Sequence, residues 1–297
     1  MPSLKDFRDR IASVKSTRKI TSAMKMVAAS KLKKAQEQAE ASQPYAQKMA
    51  SILNRLAEDA KNSPDAPQLL VGNGRDQVHL LVVMSADRGL CGGFNSSIFR
   101  KTKSQVDALL REGKTVKLLF VGKKGYDFFK GEYYNRIAGN FPMVEDKRLS
   151  YTDADRVAKR VLDMFKAQEF DVCTVIYNAF QSVISQKPTD LQLIPFQSAA
   201  GVNDNEDTSD EASSQYEYEP NEAELLETLL PYNFGIQIFR AMLDSAAGEQ
   251  AARMTAMDNA TKNAGEMISD LTLKYNRARQ AYITKELIEI ISGAEAV

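Results

Sequence analysis

The sequence predicts an α/β protein: a long helix at each end, paired as an antiparallel coiled coil, and a central Rossmann-like domain with a mostly parallel sheet. Three observations carry this. From Ser3 to about residue 60 the chain has no glycine and only Pro44 as a breaker. Between about 75 and 197 apolar, β-branched runs alternate with helical ones. From Tyr232 onward a second long helical stretch carries an apolar residue at every third, then fourth, position.

The first element spans residues 1–62. Ala, Lys, Gln, Glu, Met and Leu dominate it, and all favour helix. Leu4, Phe7, Ile11 and Val14 recur at helical spacing, and the stripe is expected to continue through Ile20, Met24, Val27, Ala28, Leu32 and Ala35. At 1.5 Å per residue the helix would be roughly 80 Å long, and it needs a partner to avoid fraying.

Breakers in "KNSPDAPQ" and "GNGRD" end it. The central domain, 75–197, has strand-like runs at 78–84, 115–121 and 171–180, with "DLQLIPF" (190–196) a further candidate. Residues 95–113 and 151–168 read as helices, the second with Thr152 as its expected N-cap. Strands alternating with helices imply βαβ units. The acidic segment 199–220 has no basic residue and little apolar content, so it reads as a solvated, mobile loop. The final part, 221–297, is expected to hold a short helix bracketed by Pro220 and Pro231 and then the long helix. In the latter, Met254, Met257, Thr261, Ala264, Ile268, Leu271, Tyr275, Ala278 and Tyr282 form a heptad seam. Pairing the two long helices buries both stripes; two separate dimerisation arms would do so as well.

Composition narrows the function. Lys plus Arg equals Asp plus Glu, 39 each, so the overall field gives no reason to expect nucleic acid. Two cysteines, Cys91 and Cys173, are too few for a secreted disulfide framework. No apolar run is long enough to span a bilayer. The start "MPSLKDFRDR" lacks a signal-peptide core, and Asp6 and Asp9 argue against a transit peptide.

The motif search is led by "LVVMSADRGLCGGFN" (81–95), which has the strand, glycine loop and helix of many phosphate sites. Its spacing fits neither common fingerprint, no lysine precedes the helix, and Asp87 would repel a phosphate. Gly89, Gly92 and Gly93 are therefore read as a structural turn that needs positive φ or close backbone approach. His79, the sole histidine, cannot build a multi-histidine metal site. No catalytic residue, cofactor site or metal site is expected. A basic stripe of Lys15, Arg18, Lys19, Lys25, Lys31, Lys33 and Lys34, with no acid between Asp9 and Glu37, points to an acidic partner surface.

"IASVKSTRKITSAMKMVAASKLKKAQ", "SADRGLCGGFN" and "RMTAMDNATKNAGEMISDLTLKYNRARQAYITKELIEIISGAEA" closely resemble, in order and spacing, the signature regions of the F-type ATP synthase gamma subunit family, in its bacterial form. The resemblance implies a non-catalytic rotor shaft, one copy per complex, inserted in the hexamer of alpha and beta subunits. Its α/β foot would rest against the epsilon subunit and the membrane c-ring. Proton flow would turn the shaft and drive ATP synthesis, or hydrolysis would turn it in reverse. The shaft itself would bind no nucleotide. It would be a peripheral protein on the cytoplasmic face of the bacterial inner membrane, or on the matrix side of a mitochondrial one. Motif position implies partner contacts for Met24, Lys25, Arg253, Arg279, Gln280 and Thr284. Small or flexible side chains at Ala23, Met24, Met26, Ala28 and Ala29 would face the bearing, and "SGAEAV" would form the tip.

Overall fold

The computed structural model describes residues 3–60, 66–143, 149–196 and 222–295. They divide into two units, Lys31–Ala252 and Met1–Ser30 with Arg253–Val297. Helices α1 (Leu4–Ala60) and α6 (Glu222–Glu295) each contribute to both. The acidic segment read as a loop, 199–220, lies outside the described residues.

In the larger unit a five-stranded sheet has the order β3-β2-β1-β4-β5. The strands are β1 (Val78–Met84), β2 (Thr115–Val121), β3 (Ile137–Phe141), β4 (Val172–Phe180) and β5 (Gln186–Ile194). The first four pair in parallel, and β5 runs antiparallel to β4. The candidate strand at 190–196 is thus the second half of a longer hairpin arm.

Why the central strands read as unbroken apolar runs is clear from their faces. On β1, Leu80, Val82 and Met84 enter one core with Val157, Val161 and Phe165 of α5 (Tyr151–Lys166) and Phe234, Ile238 and Met242 of α6. Leu81 and Val83 point the other way, against Ile98 and Val106 of α3 (Phe94–Arg111) and Phe129 and Tyr133 of α4 (Lys123–Tyr133). A strand covered on both faces has no polar side to show. A third cluster joins Met49, Leu53 and Leu56 of α1 to Leu70 of α2 (Gln68–Val71) and to Leu226, Leu230 and Ile236 of α6.

Four points differ from or add to the sequence reading. First, α6 continues through Pro231, so there is one C-terminal helix rather than a short one followed by a long one. Proline removes one backbone donor, but Leu226, Leu230, Phe234 and Ile238 are buried on both sides of it and hold the helix together. Second, α5 is capped by Ser150, not Thr152. The Ser150 N–H and hydroxyl both donate to the Asp153 carboxylate, at 3.0 and 2.7 Å. Third, α4 and β3 arise from "KKGYDFFKGEYYNRIAGNF", whose glycines conceal the Phe129–Tyr133 spacing of a helix face. Fourth, the buried stripe of α1 does not run through Ile20 and Val27, which are 57% and 56% exposed; it passes through Thr21 and, as expected, Ala28.

In the smaller unit, α1 and α6 pack as an antiparallel pair. Arg8 Nε donates to Tyr275 Oη at 3.1 Å, Thr21 meets Thr261, and Lys25 meets Asp258, so contacts advance along one helix as they recede along the other. The heptad seam is where the spacing predicts it. Met257 and Ala264 are buried, Ile268, Leu271, Tyr275 and Ala278 are half-buried, and the positions between Ile268 and Ala278 that the seam skips are exposed. At Tyr282 the seam ends, with that ring 58% exposed.

Candidate functional site

The glycine loop after β1 is built around the start of α4. Asp87 accepts from the Lys123 N–H at 2.7 Å, the Ala86 carbonyl from Lys124 at 3.1 Å, and Ser85 Oγ from Gly125 at 2.8 Å. The amide donors at the start of α4 are thus engaged by the chain's own oxygens, one of them anionic. Among the loop's glycines only Gly92 has positive φ, +56°; Gly89 and Gly93 have neither positive φ nor a close neighbour, contrary to expectation. Leu90 takes the other left-handed position, φ +62°, and is 65% exposed. Close approach is instead required at Gly122, which sequence reasoning missed. The signal was there in "FVGKKG", a glycine placed directly at a strand end.

Cys91 is buried beside Ala86 and Phe94, a packed thiol. Burial pushes the Cys173 thiol far up, away from the reactive thiolate. His79 lies on β1 with Nε2 2.8 Å from Asp76 Oδ1, and Asp76 also pairs with Lys114. The lysine, then the imidazole, hold the Asp76 carboxyl below the usual range. Among the described residues no His, Cys, Asp and Glu group is arranged to hold a metal ion.

A buried carboxylate secures the start of the sheet. Asp171, 4% exposed, accepts from Asn73 Nδ2 at 2.7 Å and from the N–H groups of Gln77 and Val78 at 2.9 and 2.8 Å. Burial opposes its ionisation, but the donors from Asn73, Val78 and Gln77 outweigh burial and hold its carboxyl below the usual range.

The residues expected to meet partners fall mainly on the helix pair. Arg279 and Gln280 are exposed. Thr284 is exposed and returns its hydroxyl to the Gln280 carbonyl at 2.9 Å. Met24 and Arg253 are half-buried. Lys25 Nζ is 2.6 Å from Asp258 Oδ1, and Lys262 Nζ reaches the other oxygen, Oδ2, at 2.9 Å. The two lysines hold the Asp258 carboxyl below its ordinary value, Lys25 first. Ala28, expected on an outer bearing surface, is 1% exposed and lies in the seam. Ala23 and Met26 are exposed. Side chains from residue 293 onward, including most of the expected tip, lie outside the described ones. Just before them Ile283, Leu287, Ile288, Ile290 and Ile291 are all 45–62% exposed, an apolar end that the heptad argument did not single out. Its signal is "ELIEII", apolar residues continuing after the partner helix has run out.

Comparison with known proteins fits this geometry. The ATP synthase family model matches residues 3–297. The ATP synthase gamma chain of Rhizobium leguminosarum bv. trifolii is 57% identical over 297 residues, covering all of both chains. That of Rhodospirillum rubrum is 57% identical over 300 residues, again with full coverage of both. Among solved structures, a chain of the central stalk and c-ring assembly of Tetrahymena thermophila mitochondrial ATP synthase is 26% identical. It covers 81% of this chain and 99% of its own, with a TM-score of 0.59. A chain of the Euglena gracilis mitochondrial F1 and c-ring assembly, 19% identical, shares the fold at a TM-score of 0.67, covering 99% of this chain and 94% of its own. The chain belongs to the ATP synthase gamma chain family and is the central-stalk rotor subunit of that complex.

Proposed function

We propose that the chain is a shaft that does no chemistry of its own and turns the chemistry of others. The observation that carries this is the two-helix pair of the smaller unit, a packed seam with polar outer faces and an uncovered apolar end. A packed seam resists twisting, and an end exposed on all sides suits a sleeve that must hold it while it turns. The hexamer of alpha and beta subunits surrounds the pair. The α/β unit meets the epsilon subunit and the c-ring on the cytoplasmic face of the bacterial inner membrane. No helix among the described residues is long and apolar enough to cross that membrane. Proton flow through the ring turns the shaft, and its asymmetry drives each catalytic subunit through its states. The alpha and beta subunits hold the nucleotides.

Arg279, Gln280 and Thr284 form an exposed polar group well placed to catch a beta-subunit loop, and Met24, Lys25 and Arg253 contribute lower on the pair. The test is Gln280→Ala with Thr284→Ala in the assembled complex. Both side chains are exposed, so subunit composition stays intact while ATP turnover falls. Full turnover in the double variant removes these positions from the catch. A calorimetric titration of the isolated chain with ATP and ADP separates shaft from enzyme: a flat trace is expected, and a saturable one refutes the shaft reading.

A further inference from the structure

Between Val14 and Ala28 the inward side of α1 is poor in the large aliphatic knobs that fix how two helices mesh. Residues 15 to 20 are exposed, and the positions that are not are Thr21, Ser22, Met24 and Lys25. Facing them on α6 are Thr261 and Asp258, beside Met257 and Ala264. Met is flexible and Ala is small, so apolar packing alone discriminates weakly between this alignment and one displaced by a helical turn. In coiled coils that task falls to polar residues in the seam.

We propose that Thr21–Thr261 and Lys25–Asp258 form a register lock, which keeps α1 and α6 from sliding along each other when the shaft is loaded. The Thr261 hydroxyl is 2.7 Å from that of Thr21. The Thr21 hydroxyl also reaches the Arg18 carbonyl at 3.1 Å, and that of Thr261 the Met257 carbonyl at 2.7 Å. Two protons serve three contacts. When one hydroxyl donates to the other, the accepting hydroxyl can still give its own proton to the carbonyl of its own helix. Thr21 is 9% exposed, so separating the pair gives up the bond between the hydroxyls at a place where water has little access to replace it.

The charges punish displacement in both directions. Moved one turn toward the end of α6, Lys25 faces Lys262 instead of Asp258, and two ammonium groups meet. Moved one turn back, it faces Met254 and Thr255, with no carboxylate. Lys25 and Asp258 remain 44% and 29% exposed, so their pairing adds little to stability. Its effect is to make the wrong alignments worse.

The test measures alignment directly. Spin labels are placed at Lys19→Cys and Asn276→Cys, both exposed and well separated along the helix axis so that sliding changes their distance directly, in the full chain; Cys91 and Cys173 are buried and stay unlabelled. With the native seam the distance distribution has one narrow peak. Thr21→Val with Thr261→Val keeps shape and adds apolar surface, so the pair still folds. Combined with Lys25→Glu, it produces a second population displaced by up to one turn, about 5 Å. With threonines intact, Lys25→Glu alone broadens the peak, and adding Asp258→Lys and Lys262→Glu, which restores opposite charges, narrows it again. A broad native distribution, or one narrow unshifted peak in the Thr21, Thr261 and Lys25 triple variant, overturns the lock. So does failure of the charge-swapped variant to restore the peak.

Discussion

Gly122 lies so close to Ser85 that a Cβ built on it would stand 1.9 Å from the Ser85 carbonyl oxygen. Its φ of +106° is also one that L-residues avoid. This contact joins the ends of β1 and β2 and sets the first turn of α4 against the glycine loop. Gly122→Ala is expected to destabilise the α/β unit by about 3 kcal/mol or more, since neither the backbone nor the carbonyl can yield cheaply. Urea unfolding followed by circular dichroism measures it. Gly89→Ala, which meets open space, should unfold like the native chain.

Asp171 gives the α/β unit a defined acid limit. Its folded-state carboxyl is held below the usual range, so the stabilisation is present above the unfolded value, about 3.9. It is lost as pH falls through the folded one. Asp171→Asn turns an acceptor into a donor opposite the N–H groups of Gln77 and Val78 and should cost about 1–3 kcal/mol at neutral pH. The variant's stability should also fall less steeply below pH 4. Parallel curves for the two proteins in acid unfolding would contradict this account.

Ile268 and Leu271 are half-buried in the seam, so truncation costs less than at a closed core. Each change to Ala should remove about 1–2 kcal/mol, below the full-burial range. A softened pair transmits torque poorly before it fails to assemble. In the assembled complex, proton-driven synthesis should therefore fall further than hydrolysis. Equal losses, with subunit composition intact, would argue against a torque-bearing seam.

Residues 203–219 hold carboxylates and no basic group. Replacing 203–214 with a Gly-Ser linker should leave synthesis and hydrolysis close to native. Rates compared at low and high salt check it, because activation confined to low salt would expose an electrostatic brake.

The sequence was most legible where one physical signal acted alone. The α6 seam followed its three-four spacing from Met257 to Ala278 because no other element competes for those side chains. Strands β1, β2 and β4 were plain because they are covered on both faces. What escaped had two demands on one residue. Gly125 dilutes the helical signal of α4, yet its amide must reach Ser85 Oγ, and an added Cβ would stand 2.9 Å from both that oxygen and Phe120. Ile20 and Val27 look like core by composition. The inward line of α1 passes beside them, through Thr21, Lys25 and Ala28, because the partner offers hydroxyl and carboxylate there. As to the expected contact residues, sequence could place Arg279, Gln280 and Thr284 on an outer face. It could not reveal that Lys25 already has an internal carboxylate, since Asp258 is so far away along the chain.

The bare isoleucines near the end of α6 also bear on the life of the chain before it is ever part of a motor. Ile283, Leu287, Ile288, Ile290 and Ile291 make a sticky surface that water tolerates poorly. A newly made copy that finds no sleeve stays open to self-association and to proteolytic triage. Supply of this subunit should therefore follow supply of whatever encloses its end, with surplus copies turning over faster than assembled ones in a pulse-chase measurement.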